Sequence, residues 1–139
     1  MEKKSIQQAS FLYVEDDASN RQVMQLLMQK VMRAQALIIF EDSVDFMTRV
    51  KALSPRPDVA LLDIHVRPHN GFEMLDMLRA DPQFHHITVI ALTASVTNEE
   101  VEQLRSSGFD GAIGKPLRAS IFPGLLERIL KGESVWYVS

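Results

Sequence analysis

Five short apolar runs, each followed by a stretch with helical signals, restrict how this chain folds more than any other feature. The runs lie at residues 10–14, 36–40, 59–62, 88–93 and 111–113. Strands that alternate with helices predict a parallel sheet with helices on both faces. The runs lack a polar–apolar alternation, which favours strands that are buried on both sides. We therefore predict an α/β fold with a single doubly wound (βα)5 domain.

Helix signals follow the first two runs. Asp17 is a candidate cap for a helix over residues 18–32, in which the apolar positions at helical spacing are Val23, Leu26, Leu27 and Val31. Ser43 is predicted to cap a second helix, whose inner stripe is Val44, Met47 and Val50. That helix is expected to end near Pro55, because proline interrupts helices.

The later segments carry boundary signals of their own. Asn70-Gly71 is a turn dipeptide, and a helix over residues 72–80 is expected after it. Residues 97–100 have the capping-box pattern of a helix that ends at Gly108. A last helix is predicted over residues 119–130.

The chain has 139 residues, a length that suits one domain with one hydrophobic core. We assign residues 9–131 to this domain and residues 1–8 to an N-terminal extension. Residues 132–139 are interpreted as a C-terminal tail or the start of a linker. For Trp136 and Tyr137 within this segment, the sequence leaves three alternatives open: an interaction tail, the start of a linker, or a flap over the last helix.

Charge and cysteine content exclude several classes of function. The net charge of −3 at pH 7 predicts neither direct nucleic-acid binding nor an electrostatic membrane anchor. No apolar run is long enough to span a membrane, and the first residues lack the apolar core of a signal peptide. The absence of cysteine excludes disulfides, thiolate catalysis and cysteine-based zinc sites, and it agrees with a cytoplasmic location.

Carboxylates stand at the C-terminal ends of two predicted strands. Glu15, Asp16 and Asp17 follow the first strand, and Asp63 follows the third. In an open parallel sheet this is the edge where ligands bind, and grouped carboxylates repel one another unless a hard cation lies among them. The strand order 2-1-3-4-5 would bring Glu15, Asp16 and Asp63 together, although the pattern alone leaves other orders open.

Thr93 and Lys115 follow the fourth and fifth strands at the same edge. Each residue has an ordinary explanation, as a β-branched strand residue or a solvated lysine, and the acids could merely cap a helix or open a turn. Their joint position favours phosphoryl chemistry instead. An aspartate can accept a phosphoryl group, carboxylate-bound Mg²⁺ neutralises oxygen charge, and lysine and threonine can contact phosphoryl oxygens.

The chain resembles the receiver domains of two-component response regulators. The resemblance covers about residues 9–131 and depends on the order and spacing of several stretches. These are residues 12–17 with 20–21, residues 61–64 with 71–73, residues 90–94, and residues 108–111 through Lys115-Pro116. We accordingly expect a flavodoxin-like domain with a five-stranded parallel sheet in the order 2-1-3-4-5. Lys115-Pro116 is a candidate cis peptide.

The resemblance implies that Asp63 accepts a phosphoryl group from a histidine kinase or a histidine phosphotransfer protein. Glu15 and Asp16 match the acidic pair that holds Mg²⁺, with Asp16 favoured as the direct ligand and Asp17 read as a helix cap. The backbone carbonyl of His65 matches a further metal ligand.

Thr93 and Lys115 match the switch threonine and the phosphate-binding lysine of the family, and Ala94 matches its small residue beside the phosphoryl group. His65 and Ser95 occupy the positions that tune autodephosphorylation. The implied protein is a signalling switch rather than a turnover enzyme. Its output partner is a downstream protein or an output domain outside this chain, since none fits within these residues.

Two positions depart from the family pattern. Arg67 stands where the family often has proline, and Pro68 comes one residue later. Ala112 stands where the fifth strand usually carries a tyrosine or phenylalanine that turns inward as the threonine moves. Alanine has no side-chain torsion that could act as such a switch. The chain therefore lacks the residue on which the usual route to the face formed by helix four, strand five and helix five depends.

Four other functions are weighed against the phosphoacceptor switch. A receiver-like binding module could act without phosphorylation, and Ala112 motivates this alternative. A metal-dependent phosphatase with an aspartate nucleophile would need an acid two residues after Asp63, where the chain has His65. The histidines at 65, 69, 85 and 86 are a conceivable zinc site, but exposed loop positions explain them better. A Rossmann nucleotide site is disfavoured, because the turn after the first strand has no glycine.

Overall fold

A six-stranded parallel sheet forms the centre of the computed structural model, which describes residues 3–94 and 97–137. The strand order is β2-β1-β3-β4-β5-β6. The strands are β1 (Ser10–Val14), β2 (Ala36–Phe40), β3 (Val59–Asp63), β4 (Thr88–Thr93), β5 (Gly111–Gly114) and β6 (Val135–Tyr137). The parallel sheet and the order of its first five strands are as predicted, but the prediction of five strands is wrong, because Val135–Tyr137 adds a sixth.

The sixth strand comes from the segment that the sequence analysis interpreted as a tail or linker. It runs parallel to β5, and Ala112 is the register partner of Trp136. The two strands approach closely at Gly111, where a Cβ atom would collide with the Val135 carbonyl oxygen. A run of three residues is too short to be recognised from periodicity, so the pairing with β5 was not predictable.

Helices cover both faces of the sheet, as a doubly wound fold requires. One hydrophobic cluster contains buried residues of three helices, α2 (Phe46–Lys51), α3 (Gly71–Ala80) and α4 (Asn98–Ser107). The cluster on the other face contains residues of α1 (Ala18–Gln25), of the π-helical segment Leu26–Val31 that continues it, and of α5 (Phe122–Leu130). None of the helices in these described ranges combines the length and the apolar character of a membrane span.

The first helix buries a different stripe from the predicted one. Val23, Leu26 and Val31 are 43%, 57% and 54% exposed, whereas Met24, Leu27, Met28 and Met32 are buried. The two stripes share Leu27 and are otherwise offset by one position, so helical spacing alone does not distinguish them. The change from α to π geometry at Leu26 also alters which side chains face the sheet.

The second helix begins later than predicted. Its N-cap is Asp45, which adopts the left-handed conformation with φ 49°, and Val44 is exposed rather than part of the inner stripe. Ser43 is buried and does not cap this helix: its hydroxyl donates to the His69 carbonyl and accepts from the His69 N–H, both at 2.7 Å. Ser43 therefore ties the loop after β2 to the loop after β3, next to the predicted site.

The helix after β3 begins with a capping box. The Asn70 side chain accepts from the Glu73 N–H at 2.9 Å, and the Glu73 carboxylate accepts from the Asn70 N–H at 3.0 Å. Asn70 is thus a helix N-cap rather than part of a separate turn. A Cβ at Gly71 would lie 2.7 Å from Ile64 Cδ1 and 3.0 Å from Ile64 Cα, so glycine lets the helix approach the chain directly after Asp63.

Candidate functional site

The carboxylates at the C-terminal ends of β1 and β3 converge because these strands are neighbours in the sheet. Val14 at the end of β1 pairs with Leu62, the residue before Asp63. One carboxylate oxygen each from Glu15, Asp16 and Asp63 lies within 4.8 Å of the others. Glu15 and Asp63 are buried, with 1% and 4% of their surface exposed, whereas Asp16 is exposed at the mouth of the cluster. We call these three residues the acidic cluster.

Lys115 bridges the two buried carboxylates of the acidic cluster. Its Nζ lies 2.9 Å from Asp63 Oδ1 and donates to Glu15 Oε1 at 3.0 Å. Lys115 follows β5, and its backbone N–H donates to the Thr93 carbonyl at 2.8 Å. The peptide bond between Lys115 and Pro116 is cis, as expected. The long lysine side chain reaches from β5 to the ends of β3 and β1.

The surroundings of Glu15 include donors that the sequence analysis overlooked. The Tyr13 hydroxyl donates to Glu15 Oε1 at 3.0 Å, and the Asp17 N–H donates to Glu15 Oε2 at 3.4 Å. Arg21 Nη1 donates to the Glu15 carbonyl oxygen at 3.0 Å. Asp17 also caps α1 as predicted, because its side chain accepts from the Asn20 N–H at 2.9 Å.

One positive charge is shared between two buried carboxylates, and their pKa values move in opposite directions. Burial alone would raise the pKa of Glu15, but hydrogen bonds from Lys115 and Tyr13 and the charge of Lys115 outweigh burial and lower it. Burial raises the pKa of Asp63. The hydrogen bond from Lys115 and its charge lower this pKa, and the Glu15 charge raises it, so the pKa remains above its usual value. The site therefore favours the ionised form of Glu15 and disfavours that of Asp63.

The pKa values of the two hydrogen-bond donors are also shifted. Burial alone would lower the pKa of Lys115, but hydrogen bonds to Asp63 and Glu15 outweigh it and raise that pKa. Burial, reinforced by the Glu15 charge, raises the pKa of the Tyr13 phenol. Both groups therefore remain protonated donors at neutral pH.

The chemistry of the donor set suits a hard divalent cation. Three carboxylates and one ammonium group leave a negative charge at the mouth of the site, and the ligand atoms offered are all oxygens. Mg²⁺ is bound in proteins by one or two carboxylates with water completing the shell. The acidic cluster contains no histidine side chain, so it lacks the nitrogen ligands that zinc prefers.

Thr93 and His65 lie beside the acidic cluster. Thr93 is buried at the end of β4, in register with Gly114, and His65 follows Asp63 by two residues with an exposed side chain. Both residues line a cleft of about 140 Å³ whose other wall includes Glu100 of α4. The cleft therefore lies between α4 and the chain around His65, and its lining residues do not include the acidic cluster or Lys115. Ser95 lies outside the described residues.

Ala112 is buried in β5, and Trp136 from β6 lies next to it on the same face of the sheet. The indole also receives a cation–π contact, with Arg105 Cζ of α4 at 4.8 Å from the ring. An aromatic residue thus covers the face where the predicted switch aromatic is missing, but it comes from a different strand.

Tyr13 is a side chain of the site that the sequence analysis missed, because tyrosine in an apolar run is typical of a strand residue. The two-residue period of a strand could have indicated that Tyr13 lies near Glu15. Residues two apart point to the same face, so Tyr13 points to the same face as Glu15. A tyrosine on a buried strand needs a partner for its hydroxyl, and Glu15 is within reach.

A family model described as the response regulator receiver domain matches residues 11–124 of this chain. The polar-differentiation response regulator DivK of Brucella anthropi is 36% identical over 67 residues, which are 48% of this chain and 54% of that protein. Stress response regulator protein 1 of Lodderomyces elongisporus is 26% identical over 137 residues, which are 94% of this chain and 37% of that protein. The matched part thus spans about half or less of these relatives.

Solved structures share the fold at lower sequence identity. Chemotaxis response regulator CheY4 of Vibrio cholerae superposes with a TM-score of 0.77 and 22% identity, covering 87% of this chain and 98% of that one. The receiver domain of sensor histidine kinase PA1611 from Pseudomonas aeruginosa has a TM-score of 0.76 and 20% identity, covering 88% and 98%. A magnesium ion is coordinated in the active-site cleft of the latter structure.

Proposed function

Because the chain belongs to the family of response regulator receiver domains, we propose that it is a phosphoacceptor switch of a two-component phosphorelay. Asp63 takes a phosphoryl group from a phosphohistidine donor in the presence of Mg²⁺, and the modified protein changes its binding to a partner. The observation that carries this proposal is the Lys115 ammonium group placed between Asp63 and Glu15, at 2.9 Å and 3.0 Å.

The chemical step uses residues that lie at one edge of the sheet. A carboxylate oxygen of Asp63 forms a bond to phosphorus as the bond from phosphorus to the donor nitrogen breaks, and the electron pair stays on the imidazole. Lys115 donates to a phosphoryl oxygen, and the Thr93 hydroxyl donates to another. Glu15 and Asp16 would hold Mg²⁺ with Asp63 and the His65 carbonyl, and the ion supplies neutralisation of the phosphoryl charge.

The burial of the Asp63 carboxylate beside Lys115 favours this chemistry. Burial raises the pKa of Asp63, so its carboxylate is held in a less favourable state than the same group in water. Transfer of a phosphoryl group to Asp63 draws Lys115 toward the new oxygens and away from Glu15. We propose that this redistribution of contacts shifts the equilibrium between two conformations, one of which binds the output partner better.

The test is phosphorylation by a small donor. Acetyl phosphate with Mg²⁺ should add one phosphoryl group, detected by intact-protein mass spectrometry, and Asp63→Asn should abolish the addition. Asp45→Asn is the matched control, because it makes the same chemical change at an exposed helix cap. Asp45 adopts the left-handed backbone conformation, which asparagine tolerates. Labelling that persists in Asp63→Asn would refute the assignment of the phosphoacceptor.

A second candidate function is supported by Ala112. A receiver-like module could bind its partner without phosphorylation, because the strand that usually carries the switch aromatic has alanine. Beryllofluoride with Mg²⁺ distinguishes the two functions. Changes in the amide NMR spectrum and in the fluorescence of Trp136, the single tryptophan of the chain, would support the switch. An unchanged spectrum together with unchanged partner binding would favour the module.

The partners follow from the proposed reaction. The donor is a histidine kinase or a histidine phosphotransfer protein, and the output is a downstream protein or a domain outside this chain. The cytoplasmic location remains a prediction, as does the absence of direct contacts with nucleic acid or membranes.

A further inference from the structure

Tyr13 is a buried polar residue for which the proposed reaction has no role. Its side chain is 1% exposed, and its ring packs in the hydrophobic cluster that also contains α1 and α5. Its hydroxyl reaches the acidic cluster and donates to Glu15 Oε1 at 3.0 Å. A core tyrosine could bond to a backbone carbonyl, yet this one bonds to a carboxylate of the candidate metal site.

The hydrogen bonds around Glu15 are unequally distributed between its two oxygens. Oε1 accepts from both Tyr13 and Lys115, whereas the donor described for Oε2 is the more distant Asp17 N–H at 3.4 Å. A carboxylate has about four acceptor directions, two on each oxygen. Two donors therefore saturate Oε1, and within the described residues Oε2 is the oxygen with acceptor capacity to spare.

The two donors on Oε1 differ in what else they must do. Lys115 also contacts Asp63, and in the proposed reaction it must donate to the phosphoryl group. Tyr13 is held by the packing of its ring and has no second partner among the bonds described for its hydroxyl. When Lys115 moves toward Asp63, Tyr13 is the donor that still satisfies Oε1 of a buried carboxylate.

We propose that Tyr13 is a positioning residue for Mg²⁺ binding, which acts by fixing the orientation of the Glu15 carboxylate through its hydroxyl. The inference rests on the proposed function, in which Glu15 belongs to the Mg²⁺ site. Outer groups that orient a metal-binding residue usually contribute 10- to 100-fold to metal affinity. A fixed carboxylate matters most for Mg²⁺, which demands near-ideal octahedral geometry, and less for Ca²⁺, whose coordination is flexible.

The experiment compares Mg²⁺ and Ca²⁺ affinities of the full chain and of Tyr13→Phe by isothermal titration calorimetry. Phenylalanine keeps the ring and removes only the hydroxyl. We expect a loss of about tenfold or more in Mg²⁺ affinity and a smaller loss for Ca²⁺, so the ratio of the two affinities falls. Tyr137→Phe removes the same hydroxyl from β6, four strands away from β1, and should leave both affinities unchanged.

The outcomes separate this inference from the proposed function. If the unmodified protein binds no Mg²⁺, the proposed function itself fails. If it binds Mg²⁺ and Tyr13→Phe binds with the same affinity, only the role of Tyr13 is overturned. Equal losses for Mg²⁺ and Ca²⁺ would also overturn that role, because they indicate general damage to the site rather than a lost orientation. Thermal unfolding without metal checks that Tyr13→Phe is folded.

Discussion

Trp136 of β6 lies directly beside Ala112 of β5, and the indole occupies the sheet face that the alanine leaves uncovered. The pairing joins a segment beyond the last helix to the strand that precedes Lys115. The packing of Trp136 against the hydrophobic cluster and its contact with Arg105 imply that β6 is an integral part of the sheet.

Trp136→Ala should lower the free energy of unfolding by about 2 kcal/mol, less than the roughly 3–5 kcal/mol of a fully buried aromatic residue because Trp136 is only partly buried. Trp136→Phe retains an aromatic ring and should lose less. Urea denaturation followed by circular dichroism measures both changes without relying on tryptophan fluorescence. Equal stability of Trp136→Ala and the unmodified protein would show that β6 contributes nothing to the sheet.

Asp63→Asn should stabilise the protein at neutral pH in the absence of Mg²⁺. Folding raises the pKa of Asp63 above its value of about 3.8 in the unfolded chain. The protonated side chain therefore contributes stability that is fully present below pH 3.8 and is lost as the pH rises through the pKa of the folded state. Asparagine mimics the protonated form at every pH. Thermal unfolding should therefore show a higher midpoint for the variant at pH 7 and a difference that shrinks in acid.

Asp45→Asn is the control for this substitution, because it makes the same chemical change at an exposed position outside the acidic cluster, and it should leave the thermal midpoint at pH 7 nearly unchanged. A variant Asp63→Asn that is less stable than the unmodified protein at pH 7 would mean that the ion pair with Lys115 outweighs the burial of Asp63.

Lys115→Met should destabilise the protein by about 3–5 kcal/mol at pH 7, because it leaves two buried carboxylates without their shared counter-charge. The pKa of Lys115 is raised on folding, so its contribution is complete below the unfolded pKa of about 10.5 and is lost as pH rises through the folded pKa. The free energies of unfolding of the unmodified protein and of Lys115→Met should therefore converge at alkaline pH.

The matched control is Lys30→Met, since Lys30 is an exposed lysine outside the site. It should change stability by less than about 0.5 kcal/mol. A similar small effect for Lys115→Met would contradict the ion-pair geometry.

Mg²⁺ should raise the thermal midpoint of the protein, and a chelator should reverse the change. Binding to the folded state alone contributes about 2.7 kcal/mol when free Mg²⁺ is 100 times its dissociation constant. Asp16→Asn should abolish most of this gain with little effect on the metal-free protein, because Asp16 is the exposed member of the acidic cluster. A full Mg²⁺ response in Asp16→Asn would remove Asp16 from the metal site.

Elements with local signals could be predicted from the amino-acid sequence alone. Apolar runs located β1 to β5, and the capping residues Thr97 and Gly108 located α4. An apolar run and a capping hydrogen bond each involve only residues that are close together along the chain. The candidate site was predictable for the same reason. The site residues each end a strand or come within two residues after one, and parallel strands end at one edge of the sheet. They are Glu15, Asp16, Asp63, Thr93 and Lys115.

Tertiary structure decided whatever depends on distant partners. The strand β6 exists only because β5 offers an edge to pair with, and the buried stripe of α1 depends on how the helix meets the sheet. Ser43 bonds to His69 instead of capping a helix, because a loop 26 residues away comes within reach of its hydroxyl. The sharing of Lys115 between Glu15 and Asp63, with Tyr13 as the second donor, likewise requires three strands in place, since hydrogen bonds and ion pairs depend on separation in space and not along the chain.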